Sequence, residues 1–174
     1  MGTECGPFRQ VLMLKRVERT RLRVNRGRFA IVAAQYNGRY VEAMLKAARR
    51  ELTRAGARKV KVVRVPGSFE IPAVAAKLAE AKNPPLSAII CLGVIFQGET
   101  SHAQHVGWGV THALAQIQVR RRIPVVHGVF VFEKEEHARA RCLGRKHNRG
   151  TEAARTALEM ARVIEALESD VPPK

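Results

Sequence analysis

The chain predicts a three-layer α/β/α domain with a four-stranded parallel sheet, flavodoxin-like in strand order. Three observations lead there. From Arg28 onward, short apolar runs alternate with segments of helical period. The runs are apolar almost throughout, as strands buried on both faces are. Each run ends in a stretch holding polar, aromatic or glycine residues, the usual place for ligands beyond the carboxyl ends of parallel strands. Alternation of this kind implies helices on both faces, and right-handed crossovers leave few topologies.

The elements follow in order. Phe29-Ala30-Ile31-Val32-Ala33 reads as the first strand. From Val41 to Leu52, apolar residues at 41, 44, 45, 48 and 52 mark a helix, and Gly56 stops it. Val60 to Val65 is the second strand. Residues 69–82 read as a helix with Pro72 tolerated in its first turn. Asn83-Pro84-Pro85 breaks the chain before a third strand, Leu86 to Leu92. A glycine-bearing loop then leads into a helix from Ser101 to Val119, with Ala103, Val106, Val110, Ala113, Leu114 and Ile117 along one side. Pro124 to Val131 is the fourth strand, and Glu133 to Cys142 and Thr151 to Leu167 are two more helices. The organisation expected is a basic flexible arm over 1–26, a domain over 27–168 and a frayed tail over 169–174. The alternative for the arm is an extra strand pairing with a neighbouring subunit, and a cleavable presequence is a lesser reading of its Arg-rich composition.

Composition narrows the class. At 174 residues, 46% of them hydrophobic, one domain with a substantial core is expected. No apolar run approaches the ~20 residues that span a bilayer, and no secretory signal is expected. Cys5, Cys91 and Cys142 are far apart and form no CxxC, which suggests reduced thiols in a cytoplasmic protein, with Cys91 in the core. The net charge of +16 is the anomaly: residues 1–28 carry eight Lys/Arg against two Glu. Stacking aromatics are not interleaved with these cations, and neither helix-turn-helix nor zinc-finger spacing stands out, so a nucleic-acid role is disfavoured. A basic excess can mean nucleic acid, a membrane surface or an anionic substrate; the preferred reading is a soluble protein with a basic surface, without membrane association.

The most informative stretch is Gly93-Val94-Ile95-Phe96-Gln97-Gly98-Glu99-Thr100-Ser101-His102. A strand, a loop and a helix start turn free backbone N–H groups toward one spot, which suits a phosphate. His102 puts a proton-transfer group beside it. The other strand ends supply Gln35-Tyr36-Asn37-Gly38, then Pro66-Gly67-Ser68-Phe69-Glu70, and, at and after the fourth strand, His127, Arg141 and Arg145-Lys146-His147-Asn148-Arg149. His102, His105 and His112 share a helical face, but His112 lies ~10 Å along the axis from His105. One metal with bonds of about 2 Å cannot bridge them. A metal site is not expected. Trp108 reads as packing, with a subunit interface as one place for it.

These residues resemble the lumazine synthase family over about Arg28 to Leu167. The likeness rests on four blocks in order: Tyr36-Asn37; Val65-Pro66-Gly67-Ser68-Phe69-Glu70-Ile71-Pro72; Gly98-Glu99-Thr100-Ser101-His102; and Arg141 with Asn148-Arg149-Gly150. The resemblance implies a step of riboflavin biosynthesis that needs no cofactor. 5-Amino-6-(D-ribitylamino)uracil and 3,4-dihydroxy-2-butanone 4-phosphate condense to 6,7-dimethyl-8-ribityllumazine, with release of phosphate and water. It also implies the roles. Tyr36, with Asn37 beside it, stacks on the pyrimidine. Ser68, Phe69 and Glu70 hold the ribityl chain and ring edge, and Val94, Ile95 and Phe96 meet the ring edge through backbone groups. Glu99 and Thr100 bind phosphate through main-chain N–H groups, a neighbour's Arg141 closes on it, and His102 shuttles protons. The family forms homopentamers with shared sites, some of them joined into hollow sixty-subunit capsids, and riboflavin synthase is a candidate partner.

The chain departs from the family's pattern at four places. Gln97 stands for the usual Arg, Ala103 for an aromatic, and Gln104-His105 for Asp and an aromatic. His127 stands where Phe usually meets the substrate ring. These departures motivate an alternative: a catalytically weakened flavin- or lumazine-binding or cage-forming homologue. A third reading has the basic arm binding nucleic acid.

Overall fold

The computed structural model describes residues 27–82, 85–144 and 147–169. The arm over 1–26, most of the tail and Arg145-Lys146 lie outside the described residues. Four parallel strands form one sheet in the order β2-β1-β3-β4. They are β1 (Arg28–Ala34), β2 (Lys59–Val65), β3 (Ala88–Phe96) and β4 (Val125–Phe132). The order is the flavodoxin-like one expected. The helices are α1 (Gly38–Arg54), α2 (Ile71–Leu78), α3 (His102–Arg121), α4 (Glu135–Ala138) and α5 (Arg149–Ser169).

Each face of the sheet has its own core. Phe29, Ile31, Ile90 and Leu92 pack beneath α1 and α5, against Met44, Leu52, Ala154 and Leu158. Alternate residues Ala30, Val32, Ile89 and Cys91 point the other way, onto Ile71 of α2 and Val110 and Leu114 of α3. Side chains alternate across a strand, so a strand covered on both faces must be apolar at every position. The strands β1 and β3 meet that rule. At the sheet's edge, β2 reads Lys-Val-Lys-Val-Val-Arg-Val, with Lys59, Lys61 and Arg64 exposed. Charges on an edge strand oppose pairing with other chains. No helix of the described residues is long and apolar enough to cross a membrane.

The structure revises four readings. Val94, Ile95 and Phe96 belong to β3 and not to a loop, because pairing with β4 continues up to Phe96 opposite Phe132. α2 ends at Leu78, with hydrogen-bonded turns after it. The helix expected over Glu133 to Cys142 divides into the short α4 and a π-helical turn, Arg139–Leu143. Ser169, assigned to the tail, closes α5.

Candidate functional site

Two loops at the carboxyl edge of the sheet are tied together by backbone. The Gln35 N–H donates to Val65 O at 2.8 Å and the Tyr36 N–H to Pro66 O at 3.0 Å. Asn37 follows in the left-handed region, φ 56°, which Asn tolerates better than most residues. Its Nδ2 donates to Val94 O at 2.8 Å, tying the first loop to the end of β3. In the second loop the Gly67 N–H donates to Glu70 Oε2 at 2.8 Å. That bond folds the turn so that Ser68 is buried while Phe69 stands out into solvent. Tyr36 and Phe69 are 71% and 64% exposed, unusual for large aromatics and suited to covering a flat ring.

The other wall is β3. Phe96 is held edge-on by Tyr40, ring centroids 5.6 Å apart. The Tyr40 hydroxyl donates to Glu135 Oε1 at 2.5 Å, and this bond pushes the phenol pKa up. Sequence reasoning missed Tyr40, which lies one residue before the helical stripe read from Val41 and in no motif. Beyond Phe96 the Gln97 N–H still donates to Phe132 O, at 2.9 Å, before the chain leaves the sheet. The loop Gly98–Ser101 is exposed and leads into α3, where His102 is the first residue. The Thr100 hydroxyl accepts from the His102 N–H at 3.4 Å.

Between these walls lies a cleft of about 630 Å³, lined by Tyr36, Asn37, Gly67, Ser68, Phe69, Glu70, Val94, Ile95, Phe96, His102 and Val106. Its size suits a small heteroaromatic ligand. Nine predicted site residues come together there, and Gly67 and Val106 join them. Glu99 and Thr100 lie in the adjoining loop. A larger hollow, about 910 Å³, opens at the opposite edge beside Lys82, Arg120, Arg121 and Arg122. Among the described residues that line it there is no aromatic side chain and no histidine, so these supply neither the stacking nor the proton-transfer groups of the smaller cleft.

Residues 26–165 match the model of the 6,7-dimethyl-8-ribityllumazine synthase family. The chain belongs to that family. A 6,7-dimethyl-8-ribityllumazine synthase from Stenotrophomonas maltophilia (strain R551-3) is 39% identical over 142 residues, covering 80% of this chain and 90% of its own. The protein of that name from Xanthomonas campestris pv. campestris (strain B100) is 37% identical over 148 residues, covering 84% and 95%.

Against the family's pattern, two predicted residues lie apart from the cleft. His127 was expected at the carboxyl end of β4. It is the third residue of that strand, paired with Cys91, five positions before Phe132. At about 3.3 Å per residue it sits roughly 16 Å from the edge where its own cleft opens. It lines a separate hollow of about 420 Å³ with Gln118, Phe130 and Arg149. The Thr111 hydroxyl donates to Gly107 O at 2.8 Å, so its 2.9 Å contact with His127 has Nε2–H donating to the threonine oxygen. Burial holds the His127 pKa below its ordinary value. Arg141, half-buried in the π-helical turn, also lies outside the cleft lining. The motif residue Asn148 is buried and structural: its Nδ2 donates to Cys142 O, and its Oδ1 accepts from Gly150 N–H at 2.9 Å. Both thiols described are buried and inert; burial pushes Cys91 up to about 12 and Cys142 to about 11.

Proposed function

We propose that this chain condenses 5-amino-6-(D-ribitylamino)uracil with 3,4-dihydroxy-2-butanone 4-phosphate to 6,7-dimethyl-8-ribityllumazine, releasing phosphate and water. The observation that carries the reading is the joining, in one cleft of a chain of this family, of two exposed aromatics, a polar turn and His102 beside a loop of free N–H groups. Tyr36 and Phe69 cover the flat pyrimidine. Ser68 and the free oxygen of Glu70 bind the ribityl hydroxyls and ring edge. Val94–Phe96 offer a rigid strand edge, with Asn37 bracing it. The N–H groups after Gly98 hold the phosphate of the ketone and stabilise it as it leaves. His102 transfers protons as the imine forms, phosphate is eliminated and the ring closes.

The distance of His127 from its own cleft supports a site completed by a second copy. In this reading, His127 from the exposed edge strand β4 lies against the substrate ring and Arg141 closes on the phosphate, within a homopentamer. A cytoplasmic location fits the same reading. The binding-only alternative is not favoured: His102 and its loop are in place, and the relatives found carry the name of a synthase. Mixing the purified protein with both substrates and following lumazine absorbance tests the activity. Product formed no faster than without protein would end the reading. Sedimentation velocity tests the assembly: a monomer would contradict a shared site, and a sixty-subunit particle would extend the pentamer to a capsid.

A further inference from the structure

The departure at Gln97 has a geometry of its own. Its side-chain amide reaches forward along the loop, and Nε2 donates twice, to Gly98 O at 2.9 Å and to Thr100 O at 2.7 Å. An amide NH2 carries two protons, so both donors are spent on these carbonyls. In a planar trans peptide the C=O and the following N–H point in opposite directions. Fixing Gly98 O toward Gln97 therefore turns the Glu99 N–H away from it, and fixing Thr100 O does the same for the Ser101 N–H. The hold on Thr100 O also takes that carbonyl away from the helix. The bond that opens α3 instead runs from His105 N–H to Ser101 O, at 3.1 Å. Among the described residues, the N–H groups of Gly98, Glu99, Thr100 and Ser101 donate to no protein acceptor.

We infer that Gln97 is a positioning residue that holds the loop as an anion cradle, with the Glu99 and Ser101 N–H groups as the aimed donors. The inference rests on the proposed phosphate-binding role of this loop and extends it to a residue that never touches substrate. Without the amide, four exposed residues, one of them a glycine, would sample many backbone conformations. The anion would then have to order them on binding, which weakens affinity. A guanidinium at position 97 could also donate to both carbonyls, so the usual Arg and this Gln become two solutions to one requirement.

The test uses Gln97→Met, which keeps length and neutrality but has no donor, and Gln97→Arg, which keeps donors. Two lost hydrogen bonds in a partly exposed loop should raise KM for the phosphorylated ketone by about 10-fold in Gln97→Met. KM for the pyrimidine and kcat should stay within about 2-fold, and Gln97→Arg should match wild type. Calorimetry with inorganic phosphate should show the same loss in Gln97→Met, and this arm does not depend on turnover. Equal phosphate affinity in wild type and Gln97→Met would overturn the inference, as would equal rises in both Michaelis constants. Absence of lumazine formation by wild type would instead defeat the proposed function, while the phosphate titrations would still decide the role of Gln97.

Discussion

Gly150→Ala sets helix propensity against packing and lets the size of each decide. On propensity alone, replacing a glycine within α5 by alanine should stabilise the protein by about 1 kcal/mol. The structure predicts the opposite sign. A Cβ at position 150 would sit 2.0 Å from Met44 O, 2.5 Å from Met44 C and 2.6 Å from Met44 Cα. These are backbone atoms of α1, so no rotamer change relieves the clash. To reach the 3.4 Å at which ordinary contact begins, α5 must retreat by about 1.4 Å. That retreat loosens Ala153, Ala154, Ala157 and Leu158, all buried against the sheet and α1. A gap of this size forfeits a large part of their dispersion energy. Overpacking that cannot relax costs about 3 kcal/mol or more, so the net loss is about 2 kcal/mol. For a chain of this length that lowers the melting temperature by about 4–8 °C. Calorimetric scans at one fixed protein concentration measure it, since assembly makes melting concentration-dependent. A melting temperature equal to or above wild type would refute the packing argument.

Two further outcomes concern Asn148, which is buried, and His127, which is exposed on the edge strand but partly desolvated. Asn148→Ala should destabilise by about 1–2 kcal/mol, because Asn148 Oδ1 accepts from the Gly150 and Thr151 N–H groups at the start of α5; a denaturant midpoint unchanged from wild type would contradict that capping role. Burial depresses the His127 pKa below 6.5, so the stability it contributes is complete above that pH and is lost as pH falls through the depressed value. Melting temperatures of wild type and His127→Phe, compared from about pH 8 down to about pH 5, should diverge on the acid side, with the Phe variant falling less; parallel curves would contradict it.

Much of the fold was legible because its pattern is repetitive. β1 and β3 are apolar at every core position, and the stripe from Val41 to Leu52 defined α1 closely. The end of β3 was harder to read. A glycine at position 93 suggests a loop, yet it permits a close approach: a Cβ there would lie 2.4 Å from Ser68 Oγ. The π-helical turn before Gly144 has no period for sequence to reveal. In the site, Tyr36, Ser68–Glu70 and His102 all line the cleft, as their motifs suggested, since each lies in or at the end of the connection that leaves the carboxyl end of a strand. His127 was misplaced along β4 because residue type does not reveal register, which only pairing with Cys91 fixes. Tyr40, Thr111 and the two hydrogen bonds donated by Gln97 act through other residues and leave no mark in a linear motif.

The proposed condensation depends most directly on His102, the proton-transfer group lining the cleft. The decisive measurement is kcat for lumazine formation by His102→Ala beside wild type, with both substrates saturating and melting temperatures matched. The chemistry assigned to this imidazole predicts a fall of ~10²-fold or more. An unchanged kcat would place the proton transfers elsewhere and contradict the mechanism.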